Sequence, residues 1–236
     1  IEGMFAGAIS FNQELNGWDV SNVTYMNGMF ENAYNFNQDI SLWNVSNVTD
    51  MVYMFYNATA FNQPIGNWNL SKVTDITQMF YGAKSFNQDI SKWDVSKVTS
   101  MTHLFMGASS FNQPIGDWDV SNVTNMDSMF FDSTFNQPIG NWNVSKVSDM
   151  SGMFSFSKFN QSLGDWDMSN VTNMSFMFAG AKFNQPIGNW NVSKVTNMSW
   201  MFSGASHFNQ DIGQWNVSNV TNMSSLFIRA SQFNQD

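Results

Sequence analysis

The chain has 236 residues, 18 acidic against 9 basic side chains for a formal net charge of -9, and no Cys. That balance argues against nucleic acid and against charge-driven docking on an anionic membrane surface; the lack of Cys excludes disulfides, thiolate metal sites and Cys nucleophiles. No apolar run approaches a transmembrane length and no segment reads as a signal peptide, so the 23 Phe, 10 Trp and 18 Met are expected to form a core.

The tripeptide Phe-Asn-Gln returns ten times, starting at Phe11, Phe36, Phe61, Phe86, Phe111, Phe135, Phe159, Phe183, Phe208 and Phe233, at intervals of 25 or 24 residues. A fixed period of this size predicts a solenoid, in which each unit buries its apolar face on its neighbours. The expectation is one solenoid domain over residues 1–236 with about nine repeats. Solenoids normally carry atypical terminal caps. None is recognisable here, so the chain reads as part of a longer array, with targeting and anchoring signals outside it.

The unit from Ile40 to Phe61 shows the pattern. Trp43-Asn44-Val45 alternates apolar and polar with period two, which predicts a very short parallel strand. From Met51 the apolar residues fall at Met51, Met54, Phe55 and Ala58, which predicts one or two turns of α- or 3₁₀-helix. Thr49 stands where its hydroxyl would cap that turn. Asn57 stands where it would end, at a position filled elsewhere by Gly7, Asn32, Gly82, Gly107, Asp132, Gly180 and Gly204. These residue types tolerate a left-handed conformation; Phe156 and Arg229 break the rule.

The 24-residue units lose one residue just beyond this point, before Phe135, Phe159 and Phe183, which places the deletion in a surface turn. Asn and Gln inside Phe-Asn-Gln never vary, and a repeated cause is needed. Side-chain amides bonding loop backbone on the next rung would supply one.

The full pattern, I-x-x-W-x-V-S-x-V-x-x-M-x-x-M-F-x-x-A-x-x-F-N-Q, resembles leucine-rich repeats. It is most similar to BspA-like bacterial surface proteins and mycoplasma-type surface lipoprotein repeats, whose units read FNQDI-x-x-WDVS-x-VT-x-M-x-x-MF. The resemblance spans the whole chain. It implies a right-handed, leucine-rich-repeat-like solenoid on a cell surface or secreted, tied to adhesion, and it supplies no catalytic residue. Departures are Ile76 for Met, Leu104 and Leu226 for the second Met, and Ser133 and Ser157 for Ala.

Candidate sites come from positions that the repeat does not dictate. The residue after the Met-Phe pair is Tyr56, Tyr81, Met106 and Phe131 in four consecutive rungs, but Glu31, Ser155 or Ser203 elsewhere. This predicts an apolar stripe, with Phe176 and Trp200 as a second patch at a neighbouring position; contiguous exposed apolar surface marks interaction sites. Asp94, Asp117 and Asp119 fall on one predicted face and are the candidate ligands for Ca²⁺, with Lys92 next to Asp117. An outward row of Asp or Asn from Asp19 to Asn216, beside Ser21 to Ser218, is expected to be a solvated face or a flat array. N-x-Ser/Thr triplets such as those at Asn22, Asn47 and Asn122 follow from the repeat consensus.

Only two His exist, His103 and His207, and the Gly residues are spread as turn caps rather than gathered to cradle phosphate. The expectation is no enzyme. The leading reading is a cell-surface or extracellular array that mediates adhesion by binding protein or glycan on a host or neighbouring cell, without nucleic acid and without membrane insertion. The alternatives are a structural spacer or stalk, a Ca²⁺-dependent carbohydrate-binding module, or an ice-binding face.

Overall fold

In a computed structural model, residues 1–235 are described, and Asp236 lies outside the described residues. The period becomes a stack of rungs. Each rung contributes one bridge residue, and Tyr25, Asp50, Asp75, Ser100, Asn125, Asp149, Asn173, Asn197 and Asn222 form a row of isolated parallel bridges. There is no helix among the described residues. No helix is therefore long and apolar enough to cross a membrane.

The rungs pair along Val-Thr-x-Met and the segment after it, not along Trp-x-Val. The N–H groups of Met51, Tyr53, Phe55 and Asn57 donate to the carbonyls of Asp75, Thr77, Met79 and Tyr81 on the next rung, at 2.6–3.1 Å. Those of Met54, Tyr56 and Ala58 close turns onto Met51, Tyr53 and Phe55 at 3.0–3.2 Å. Tyr53 and Asn57 have φ of 58° and 54°. A left-handed residue at every fourth position prevents a helical ladder, so the predicted helical turn is a run of overlapping β-turns. Each alternate N–H is turned outward to the next rung, which satisfies the whole segment.

The Trp-x-Val alternation is a burial pattern without a ladder. Trp43 and Val45 are buried, Asn44 is exposed, and the Trp43 N–H turns back on the Ile40 carbonyl at 3.1 Å. The strand-plus-helix unit expected of a leucine-rich repeat is thus replaced by turns and single bridges.

Thr49 does not cap a helix either. Its N–H and its hydroxyl both donate to the Thr24 carbonyl one rung back, at 2.8 and 3.2 Å, and Thr74, Thr99 and Thr124 repeat the arrangement. The residue after each of Thr49, Thr74, Thr99 and Thr124 closes the next turn with its side chain; Asp50 Oδ1 accepts the Val52 N–H at 3.0 Å.

The core is a set of aromatic columns. Phe30, Phe55, Phe80, Phe105, Phe130, Phe154, Phe178, Phe202 and Phe227 stack rung upon rung, with centroids 5.5–5.9 Å apart. Phe61 stacks on Phe55 at 3.9 Å within one rung. Trp43, Trp68, Trp93 and Trp118 are 3–4% exposed, and each indole N–H donates to the carbonyl of the Ile or Leu one rung back, at 3.1–3.2 Å. From Trp43 to Trp215 the Trp row is therefore core, as expected of residues that supply volume, while Trp18 on the first rung is exposed. Close packing sets the loops as well: a Cβ on Gly116 would lie 2.6 Å from the Pro138 carbonyl oxygen.

The Phe-Asn-Gln amides bond as the sequence predicts. Asn62 Oδ1 accepts the Asn87 N–H at 3.0 Å and the Gln88 Nε2 amide at 2.9 Å. The same ladder runs from Asn12 to Asn234. The shortened turns explain two departures from the repeat. In a 25-residue unit the Phe111 N–H donates to the Ala108 carbonyl. With one residue missing that partner is lost, and the Ser133 and Ser157 hydroxyl oxygens accept the Phe135 and Phe159 N–H groups at 3.1 and 3.3 Å. Both Ser side chains are buried, which is tolerable because they are bonded.

Candidate functional site

Along one side of the stack, equivalent residues of the turn segment form two columns, exposed or half-buried except at Gly152, Ser155 and Ala179, which are buried. One contains Tyr53, Gln78, His103, Ser128, Gly152, Phe176 and Trp200; the other contains Tyr56, Tyr81, Met106, Phe131, Ser155, Ala179 and Ser203. Tyr56, Tyr81, Met106 and Phe131 are half-buried rather than fully exposed. Tyr56 stacks on Tyr81 at 4.5 Å with 12° between the rings, and Tyr53 meets Tyr56 edge-on at 5.7 Å. Burial first, then the neighbouring Tyr81 phenol and Glu31 carboxylate, raises the Tyr56 phenol above its ordinary value.

The second patch, Phe176 and Trp200, is exposed, and its rings stack at 5.8 Å within 5° of parallel. Phe156, which is 60% exposed, meets Phe131 at 5.5 Å and extends the first patch by one rung towards the second. Its ring lies over Gly180, where a Cβ would come within 2.6 Å of it. Seven consecutive rungs, from Tyr53 to Trp200, therefore carry at least one large aromatic, His or Met side chain on this face. At about 4.8 Å per rung the stripe is roughly 29 Å long.

The backbone under the stripe is unusual for such residues. Tyr53, His103, Phe156, Phe176 and Trp200 have φ between 54° and 59°. A left-handed residue with a Cβ costs about 1–2 kcal/mol relative to the right-handed form. Gly fills the Tyr53 column at Gly28 and Gly152, and the Phe156 column at Gly82, Gly107 and Gly180. The fold is thus built equally well with Gly, and core packing does not require a ring at these positions. Gln78, Ser128 and Ser225 take the same left-handed form in the Tyr53 column, so the backbone belongs to the repeat and the ring is an addition to it.

Tyr53, His103 and Phe156 escape a reading of the repeat. Tyr53 and His103 share the column of Phe176 and Trp200, and Phe156 is one of the two residues that break the Gly/Asn/Asp rule. Those were the available signals. His103 also faces Asp127 on the next rung, with Nε2 3.6 Å from Oδ2, while its Nδ1 is buried without a partner.

Asp94, Asp117 and Asp119 are not brought together as a cation site. Among the described residues no three acidic or His side chains gather around a point that would hold a metal ion. Asp94 and Asp119 turn instead onto Ser96 and Ser121 of their own rungs, at 3.1 and 3.0 Å from the backbone N–H. These bonds hold both carboxyls below their ordinary value; the Ser side chain contributes most and the backbone N–H next. The rest of the Asp/Asn row closes the same turn, as Asn44 does on the Ser46 N–H at 3.2 Å.

Sequence comparison agrees with the repeat. The family model described as "Mycoplasma protein of unknown function, DUF285" matches residues 1–91, 79–182 and 155–236. The chain belongs to this family. That match carries the mycoplasma-type part of the resemblance, not the leucine-rich-repeat part. No curated protein matches the chain.

Proposed function

We propose that this repeat protein is a non-enzymatic binding array of a cell surface or the extracellular space, which mediates adhesion by engaging protein or glycan on another surface. One observation carries the proposal: seven successive rungs present aromatic, His or Met side chains on one face, five of the residues in left-handed positions that Gly fills elsewhere. Tyr53, Phe156, Phe176 and Trp200 are exposed along it; exposed apolar surface is a recognition feature, and aromatics are the usual anchors.

The non-enzymatic part is supported by the occupation of the polar groups. Ser and Thr hydroxyls, Asn and Gln amides and the Asp row are used in turns and inter-rung ladders. The test is adhesion of protein-coated beads to cells, comparing the wild type with a Tyr53→Ser, Phe156→Ser, Trp200→Ser triple variant. The expectation is at least a tenfold loss of bound beads with an unchanged or higher melting temperature. Equal adhesion would favour the spacer reading, for which the continuous amide ladder from Asn12 to Asn234 supplies the stiffness.

A further inference from the structure

The chain contains two Asn-Gly pairs, Asn16-Gly17 and Asn27-Gly28, and the fold treats them in opposite ways. In such a pair the Gly nitrogen can attack the Asn side-chain amide, because Gly has no Cβ to obstruct the approach and its backbone moves freely. Asn16 and Gly17 are both exposed, in a turn closed by one hydrogen bond from the Trp18 N–H to the Leu15 carbonyl at 3.0 Å. Among the described residues the Gly17 N–H has no acceptor, and a Cβ placed on Gly17 would meet no atom within 4 Å. The nitrogen is open both to water and to the neighbouring amide.

Asn27-Gly28 is held on every side. Gly28 is buried, and its N–H donates to the Val52 carbonyl on the next rung at 2.8 Å. The Asn27 carbonyl accepts the Gly3 N–H at 2.8 Å, and Asn27 Oδ1 is itself buried. Attack by the Gly28 nitrogen would first break an inter-rung hydrogen bond and leave the Val52 carbonyl without its donor, which a buried group resists.

We propose that Asn16 is a site of spontaneous intramolecular deamidation, and that the fold protects Asn27 from the same reaction. The Gly17 nitrogen attacks Cγ of Asn16. An N–Cγ bond forms, the Cγ–Nδ2 bond breaks, and the Gly17 amide proton passes through solvent to the leaving nitrogen, which departs as ammonia. Water then opens the cyclic imide at one of its two carbonyls and leaves aspartate or isoaspartate. No oxidant, reductant or enzyme is required. The net charge of -9 becomes more negative by one unit.

The position makes the change structural as well. The Leu15 carbonyl that closes the turn also accepts the Trp43 indole N–H from the next rung at 3.2 Å. Isoaspartate lengthens the main chain by one carbon between Leu15 and Trp18, so it opens the turn and disturbs an acceptor shared by two rungs. Other rungs place Ser or Gly at the Asn16 position, as at Ser41, Gly66, Ser91 and Gly116, and cannot react in this way.

The test is to hold the full chain at neutral pH and body temperature for several weeks, then map its peptides by mass spectrometry with fragmentation that separates aspartate from isoaspartate. Asn16 is expected to convert at least tenfold faster than Asn27 in the folded chain. In urea the two sites should react at similar rates, since only the fold separates them. Gly17→Ala should slow conversion at Asn16 at least fivefold. Conversion of Asn27 at the pace of Asn16 in the folded chain, or of neither site, overturns the inference. An undiminished rate in Gly17→Ala overturns the assignment of the Gly17 nitrogen as nucleophile. Amide hydrogen exchange on the isoaspartate fraction, isolated by its added charge, should be faster around Trp18 and Trp43 than in the fresh protein; equal exchange would refute the structural consequence.

Discussion

Trp118→Ala probes what holds one rung to the next. Trp118 is 3% exposed and sits 6.4 Å from both the Trp93 and Phe105 ring centroids. Emptying a large aromatic site costs about 3–5 kcal/mol. The lost indole hydrogen bond adds little, because its acceptor, the Ile90 carbonyl, still receives the Trp93 N–H at 3.1 Å. The cavity term therefore dominates, and Trp118→Phe, which keeps a ring, should cost about 1–2 kcal/mol by the same reasoning. For a chain of this size the Ala variant should melt about 6–20 °C lower. Urea unfolding followed by far-UV circular dichroism should show more. Each rung is coupled to its neighbours alone, so a weakened central interface should split the transition into two. A single transition with a loss below about 1 kcal/mol would refute the idea that the Trp column carries the inter-rung energy.

Two further outcomes follow from the ladders. Asn62→Ala removes the acceptor of the Asn87 N–H and the Gln88 amide. Both groups can reach water, so the loss in urea titration should be about 1–2 kcal/mol; no measurable loss would mean that the ladder is idle. Asp19, Asp39, Asp89, Asp94, Asp119 and Asp167 are held below the ordinary carboxyl value of 3.8 by the Ser two residues on; its side chain contributes most at each position except Asp39, where the backbone N–H does. A carboxyl depressed in the folded state stabilises it above the unfolded value, and that contribution is lost as pH falls through the folded value. The melting temperature should therefore drop on going from pH 5 to pH 3. Converting Asp94, Asp119 and Asp167 to Asn should blunt the drop without lowering the neutral melt, because Asn44 already closes the same turn; an undiminished drop would assign acid sensitivity to other groups.

The stack itself was legible because its causes repeat. Ten copies of Phe-Asn-Gln at nearly constant spacing admit few explanations other than rungs, and an amide that never varies needs a partner that never varies. The buried Trp row followed from volume. The local conformation was not legible, for a physical reason. Apolar residues at Met51, Met54, Phe55 and Ala58 satisfy helical periodicity equally well when consecutive turns point the same residues inward. What decides between the two is where alternate N–H groups go, and here the next rung offers carbonyls that an isolated segment lacks. Trp43-Asn44-Val45 misled in the complementary way, since period-two burial arises from turns as readily as from a ladder.

The candidate site was half legible, and the missing half shows what a single repeat conceals. Tyr56, Tyr81, Met106 and Phe131 stood out because neighbouring rungs place Glu or Ser at the same position. Phe156 looked like a broken C-terminal cap, because a left-handed position with an aromatic side chain contradicts local preference. In the structure it keeps the left-handed backbone, at φ 56°, and spreads its ring over the next rung's Gly180. The contradiction is resolved two rungs at a time: one rung carries the strain and the neighbour supplies the space. Tyr53, Phe176 and Trp200 obey the same logic at the companion column, where Gly28 and Gly152 show that the backbone does not need a ring. The departures from the repeat therefore fall into two kinds: Ser133 and Ser157 repair a shortened turn inside the stack, whereas Phe156, Phe176 and Trp200 lie exposed on its side.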